Sequence, residues 1–136
     1  MPSSPGPAAR ESPGGGPAAP RCWLVARRAD GSVAGGIAAL PKPAPDGGAA
    51  IRVEAAGFNY KDALACTGHP GVMRIAPLVP GIDSAGTLLE AAAGLPAGAA
   101  VVATACGLGE TRHGGFADIV RAPPAAILPR DRKSVV

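Results

Sequence analysis

Residues 50–56 alternate apolar and polar side chains, Ala50-Ile51-Arg52-Val53-Glu54-Ala55-Ala56, and then meet Gly57, which tolerates the backbone angles of a sharp exit. That period predicts a half-buried strand. The pattern next turns helical: Asn59 is a favoured N-cap, Asp62 stands where a short acceptor meets orphan backbone donors, and residues 61–66 can make about two turns before Gly68 stops them. Elsewhere the same reading predicts strands over 22–27, 33–40, 80–90, 99–105 and 116–121, turns at 29–32 and 95–98, and a loop over 41–48. Residues 72–79 form an irregular apolar segment bounded by Pro77 and Pro80. In the 80–90 strand, Gly81, Ser84, Ala85 and Gly86 let another backbone or a ligand come close. The 99–105 strand is apolar throughout and reads as buried. Short strands separated by Gly and Pro, with one short helix, indicate an all-β, barrel-like domain.

Composition narrows the picture. A chain of 136 residues has room for one domain. Aromatic residues make up 3%, so the core must be built from Val, Ile, Leu and Ala and is thin. Residues 1–20 form a Pro/Gly/Ser/Ala segment that cannot bury enough surface to offset its ordering entropy, and they read as a disordered extension. The formal charge of +3 is mildly basic, but Lys and Arg are scattered rather than striped, which argues against nucleic-acid binding. Cys22, Cys66 and Cys106 are odd in number and widely spaced, which fits neither a disulfide framework nor a zinc clip, so they read as small buried apolar residues in a reducing compartment. No apolar run reaches the roughly 20 residues of a membrane span, and no signal peptide opens the chain. A soluble cytoplasmic protein without a membrane or nucleic-acid partner is expected.

Candidate chemistry gathers at two places. A helix N-terminus offers free N–H groups and the positive end of a dipole to an oxygen ligand, and Tyr60 stands beside it. Its ring suits a nicotinamide or adenine and its hydroxyl can orient a substrate oxygen; the alternative is that Asn59 caps a surface helix and Tyr60 packs in a small core. The second place is the glycine-rich stretch 106–118, with Glu110, Arg112 and His113. Its glycine pair lacks the third glycine and long helix of a dinucleotide fingerprint, leaving a loop that lines a cleft or a plain surface hairpin. His69 has no Cys, Asp or Glu at ligand spacing and reads as a solvent-facing loop histidine.

Three motifs in order, NYKDALA with TG from Asn59, PLVPGIDSAGT from Pro77 and GLGETRHGGFAD from Gly107, resemble the N-terminal half of the medium-chain dehydrogenase/reductase superfamily. The match is strongest to its NADPH-dependent acryloyl-CoA reductase group, often labelled putative quinone oxidoreductase. The resemblance covers about residues 22–129. It implies a mainly β, GroES-like β-barrel domain over 21–130 with one short helix, lacking its partner Rossmann domain, which carries most NADPH contacts. It makes Tyr60 and Asp62 the catalytic candidates, Tyr60 and Asn59 the cofactor-binding ones, and Arg112, His113 and Glu110 the residues of the substrate cleft. Zinc-dependent members carry Gly-His-Glu where this chain has Gly81-Ile82-Asp83, and isoleucine cannot ligate zinc, so the implied enzyme has no metal. The implied reaction adds hydride to the β-carbon of acryloyl-CoA or a similar α,β-unsaturated carbonyl, in a homodimeric parent protein. A quinone or enone reductase of the same superfamily, or a standalone GroES-like binding module, are the alternatives. The chain departs from the pattern at Cys106, where an aromatic is usual, and at His69-Pro70, where lysine or glycine is commoner. Residues 131–136 read as a non-native tail, one frame of a sequencing adapter, and because the pyrophosphate site, the 2′-phosphate site and half of the cleft are missing, the fragment alone is expected to be inactive.

Overall fold

The computed structural model describes residues 18–43 and 47–130. Most of the 1–20 extension and all of the 131–136 tail lie outside the described residues. The elements are β1 (Arg21–Arg27), β2 (Val33–Ala39), β3 (Ala49–Ala56), α1 (Tyr60–Cys66), β4 (Ser84–Leu88), β5 (Ala100–Ala103), β6 (Ile119–Ala122) and β7 (Ile127–Pro129). β1 and β2 form an antiparallel hairpin; the other five make one antiparallel sheet in the order β6-β3-β4-β5-β7. The fold is mainly β, a curled sheet with one short helix.

β3 lies between β4 and β6, with Ile51 on the covered face of the sheet. Ile51 pairs with Leu88 on one side and Val120 on the other, and these join Val101, Leu108 and Ile127 in the main core. Each such fully buried aliphatic contributes about 1.5–3 kcal/mol from lost apolar exposure. Gly86 faces Val53 where β3 and β4 approach closely, and a Cβ there would run into the Arg52 carbonyl. A second cluster, Val25, Ala65, Val72, Met73 and Leu78, seats α1 against β1. Val25 and Leu78 exchange backbone hydrogen bonds of 2.8 and 2.9 Å, and the Trp23 N–H donates to the Phe116 carbonyl at 2.8 Å.

Three strands differ from the sequence expectation by more than one residue at an end, and one strand was not expected. β4 starts at Ser84 rather than residue 80, because the Pro80 and Gly81 carbonyls accept from Phe116 and Gly115 at 3.0 and 2.9 Å and so pair with a loop. β5 is confined to Ala100–Ala103 and alternates buried with half-buried positions; one of its faces is not fully covered. β6 begins at Ile119 instead of 116, since Phe116 and Asp118 bond to β1. β7 was not expected; it follows a single 3-10 turn at Pro124–Ala126 and pairs with β5.

Candidate functional site at the start of helix α1

Local sequence builds the first half of the site. The Asn59 side-chain oxygen accepts from the Lys61 N–H at 3.0 Å, and the Asp62 carboxylate reaches back to the Asn59 N–H at 2.9 Å, a reciprocal capping box. Asp62 is fully buried, and its other oxygen accepts from the Ile82 N–H at 3.0 Å. This carboxylate therefore ties the start of α1 to the turn after Gly81. The Asn59 amide also donates to Asp83 at 3.4 Å, and the other Asp83 oxygen accepts from the Thr104 hydroxyl at the end of β5. Asp83 and Thr104 escaped the sequence reading; the only signal was the place of Asp83 inside PGID.

Tyr60 stands on this fixed corner with 78% of its surface exposed, so it does not pack in the core. Beside it Phe58 is 67% exposed and stacks on Phe116, the rings 5.8 Å apart and 7° from parallel. Lys61 pairs with Glu110 at 3.3 Å, and the Glu110 carbonyl accepts from the Arg74 N–H at 3.0 Å. Glu110 thus belongs to the helix side of the 106–118 stretch.

Arg112 and His113 lie elsewhere. They line a cavity of about 560 Å³ walled by Leu40, Ile75, Val79 and residues 119–121. His113 Nδ1 accepts from the Val79 N–H at 3.0 Å, and burial lowers the imidazole pKa below its usual value. The ring is held neutral with its proton on Nε2. Just after His113, Gly114 and Gly115 press against the Gly81 carbonyl and Ser84, where a Cβ would collide.

The cysteines are not uniformly buried. Cys22 is buried, Cys66 is half-buried and Cys106 is exposed, because residues 105–107 form a surface turn with φ of 62°, 53° and 87°. Burial pushes the Cys22 and Cys66 thiols up. His69 is exposed and its Nδ1 accepts from the Gly71 N–H at 3.0 Å. Among the described residues no three His, Cys, Asp or Glu side chains converge, and no helix is long and apolar enough to cross a membrane.

The alcohol dehydrogenase GroES-like domain family matches residues 45–132. The chain belongs to that family. With it the chain joins the medium-chain dehydrogenase/reductase superfamily, whose oxidoreductases it resembles in sequence and structure. It is 36% identical over 100 residues to a probable acrylyl-CoA reductase, AcuI, of Escherichia coli, covering 72% of this chain and 31% of that one. It is likewise 36% identical over 86 residues to the putative quinone oxidoreductase YhfP of Bacillus subtilis, covering 62% of this chain and 26% of the relative. The crystal structure of YhfP with NAD bound superposes with a TM-score of 0.75 at 29% identity, over 83% of this chain and 35% of that one. The yhdH oxidoreductase of Salmonella enterica in complex with NADP gives 0.75 at 31% identity, over 82% and 35%. The chain spans about a third of the length of the curated relatives it matches.

Tyr60 is exposed at the helix start, Phe58 has one ring face covered by Phe116, and the Asn59 amide is engaged by the Lys61 N–H and by Asp83. A pyrophosphate cradle is not built here: Gly107 and Gly109 enter a hydrogen-bonded turn, the Gly109 N–H donating to the Arg112 carbonyl at 2.8 Å, rather than a helix.

Proposed function

We propose that this chain is the N-terminal catalytic domain of a zinc-independent, NADPH-dependent oxidoreductase that reduces the C=C bond of acryloyl-CoA or a similar α,β-unsaturated carbonyl. The observation that carries the reading is Tyr60, presented to solvent at a capped helix start within a chain 36% identical to the probable acrylyl-CoA reductase. NADPH, when bound, would supply the hydride that adds to the β-carbon, and a proton taken up from solvent at the α-carbon would complete the reduction. The protein's part is placement: the Tyr60 ring would hold the nicotinamide end and its hydroxyl would orient the substrate oxygen, where negative charge develops. Asn59 and Asp62 hold Tyr60 by fixing the first turn of α1, so Asp62 acts as a positioning residue, its two oxygens already engaged by backbone donors. Of the residues assigned to the substrate, Glu110 lies beside Lys61 on the helix side of this corner, while Arg112 and His113 line the separate cavity. Ile82 stands where zinc-dependent members have a ligand and offers none, which supports a metal-free site.

A second reading, quinone reduction, has equal support from YhfP at 36% identity. The test extends the chain to the relatives' length and follows NADPH oxidation with acryloyl-CoA beside a simple quinone, with and without a chelator. Preference for the thioester, unchanged by chelation, is the expected result. Activity on the quinone alone favours the second reading, and loss of activity on chelation refutes the zinc-free site.

A further inference from the structure

We propose that Asp83, held by Thr104, is a positioning residue for the corner beside Tyr60: it fixes the Asn59 side-chain amide so that a ligand's carbonyl or hydroxyl oxygen meets an aimed N–H donor. Capping α1 needs only the Asn59 oxygen, which accepts from the Lys61 N–H at 3.0 Å, and Asp or Ser would serve that purpose as well. What asparagine adds is the amide nitrogen, and the fold ties it to the Asp83 carboxylate at 3.4 Å. The two partners specify one orientation of the amide. A backbone N–H can only donate, so the atom against Lys61 is the oxygen; an ionised carboxylate can only accept, so the atom against Asp83 is the nitrogen. A planar amide held at both ends cannot turn. Asp83 takes one of the two hydrogens on the nitrogen and leaves the other, on an exposed residue next to Tyr60, for a ligand.

Asp83 is itself anchored by segments far apart in the chain. Its other carboxylate oxygen accepts from the Thr104 hydroxyl, and its backbone carbonyl accepts from the Gly57 N–H at 2.9 Å, where the chain leaves β3. Thr104 in turn donates its backbone N–H to the Ala126 carbonyl at 3.0 Å, in the turn before β7. Asp83 and Thr104 are half-buried, whereas Asn59 and Tyr60 are exposed, so the hydrogen-bonded chain runs outward from the sheet to the ligand-facing side chain and gives it the sheet's rigidity. Asp62 and Asp83 therefore have separate parts. Asp62 locks the backbone of the first turn through the Asn59 and Ile82 N–H groups, and Asp83 locks the side chain that this backbone presents.

Only the ligand's identity rests on the reductase reading; the ordering of Asn59 belongs to the chain without it. In the isotopically labelled chain, nitrogen relaxation of the Asn59 side-chain amide gives its order parameter. A value above about 0.6 is expected for the parent and for Thr104→Ser, which keeps a hydroxyl, and a value below it for Asp83→Ala and Thr104→Val. Circular dichroism and the backbone amides of α1 check that the variants fold. In a chain extended to the relatives' length, NADPH binding followed by fluorescence should weaken about fivefold or more in Asp83→Ala and Thr104→Val and recover in Thr104→Ser. Asp83→Ala added to Asn59→Ala should weaken binding by no more than about twofold further, because the effect runs through that side chain; a merely structural role would add its full cost there too. Equal order of the Asn59 amide in the parent, Asp83→Ala and Thr104→Val overturns the proposal, as do additive losses in the double variant. If the extended parent does not bind NADPH, the reductase reading fails, and the order parameters decide the positioning by themselves.

Discussion

Asp62→Ala isolates what the buried carboxylate does. Both oxygens accept backbone N–H groups, from Asn59 at 2.9 Å and from Ile82 at 3.0 Å. Asn59 is exposed, so its N–H regains water and the loss costs about 0.5–1 kcal/mol. Ile82 is half-buried, and stranding its donor costs about 1–3 kcal/mol. Removing an acid from the first helical turn adds about 0.5 kcal/mol. The whole effect is about 3 kcal/mol, or about 12 °C in Tm for a domain of this size. Asp62→Asn keeps one acceptor but turns an amide donor on the other N–H, so it should fall about halfway. Lys61→Ala, which removes an exposed pair with Glu110, should cost under about 1 kcal/mol. Urea unfolding followed by circular dichroism gives the three values, and amide hydrogen exchange at Ile82 shows whether its protection goes with the carboxylate. Asp62→Ala within about 0.5 kcal/mol of the parent would refute the argument that this side chain locks α1 to the turn after Gly81.

Other expectations follow from single contacts. Gly86→Ala drives a Cβ into the Arg52 carbonyl of β3 and should cost about 3 kcal/mol or more in urea unfolding; a loss below about 1 kcal/mol means that the two strands can part there. Tyr60→Phe should leave stability within about 0.5 kcal/mol, since the ring is 78% exposed, yet reduce turnover of the extended protein; unchanged kcat and KM would remove the hydroxyl from the mechanism. His113 has a lowered folded pKa through burial, so the unfolded chain takes up its proton first. Its penalty is absent above about pH 6.5 and grows as pH falls from there through the lowered folded value. His113→Gln should therefore flatten the Tm decline between about pH 7.5 and 5, a window above the one in which Asp30 and Glu54, both lowered by hydrogen bonds, lose their contribution. An identical slope in the variant would place the pH dependence elsewhere.

Much of this chain is legible in one dimension because its signals are short-range. The alternation of residues 50–56 specifies β3 and its covered Ile51, and Asn59 with Asp62 specifies α1, because a capping box closes within four residues. The three ordered motifs carry the family. What the sequence hid depends on partners far along the chain. Pro80 and Gly81 open a stretch read as one strand, but their carbonyls are claimed by Phe116 and Gly115, so β4 starts late. Cys106 has a buried residue's chemistry, yet the left-handed turn that carries it puts it on the surface. Glu110, Arg112 and His113 are near neighbours in sequence, but the glycine-rich turn sends Glu110 to Lys61 and the other two to a cavity completed by Leu40 and Ile119. Local hydrogen bonds and periodicity decide which elements form. Which side chains share a site is decided by packing among segments many residues apart, information that no window of sequence contains.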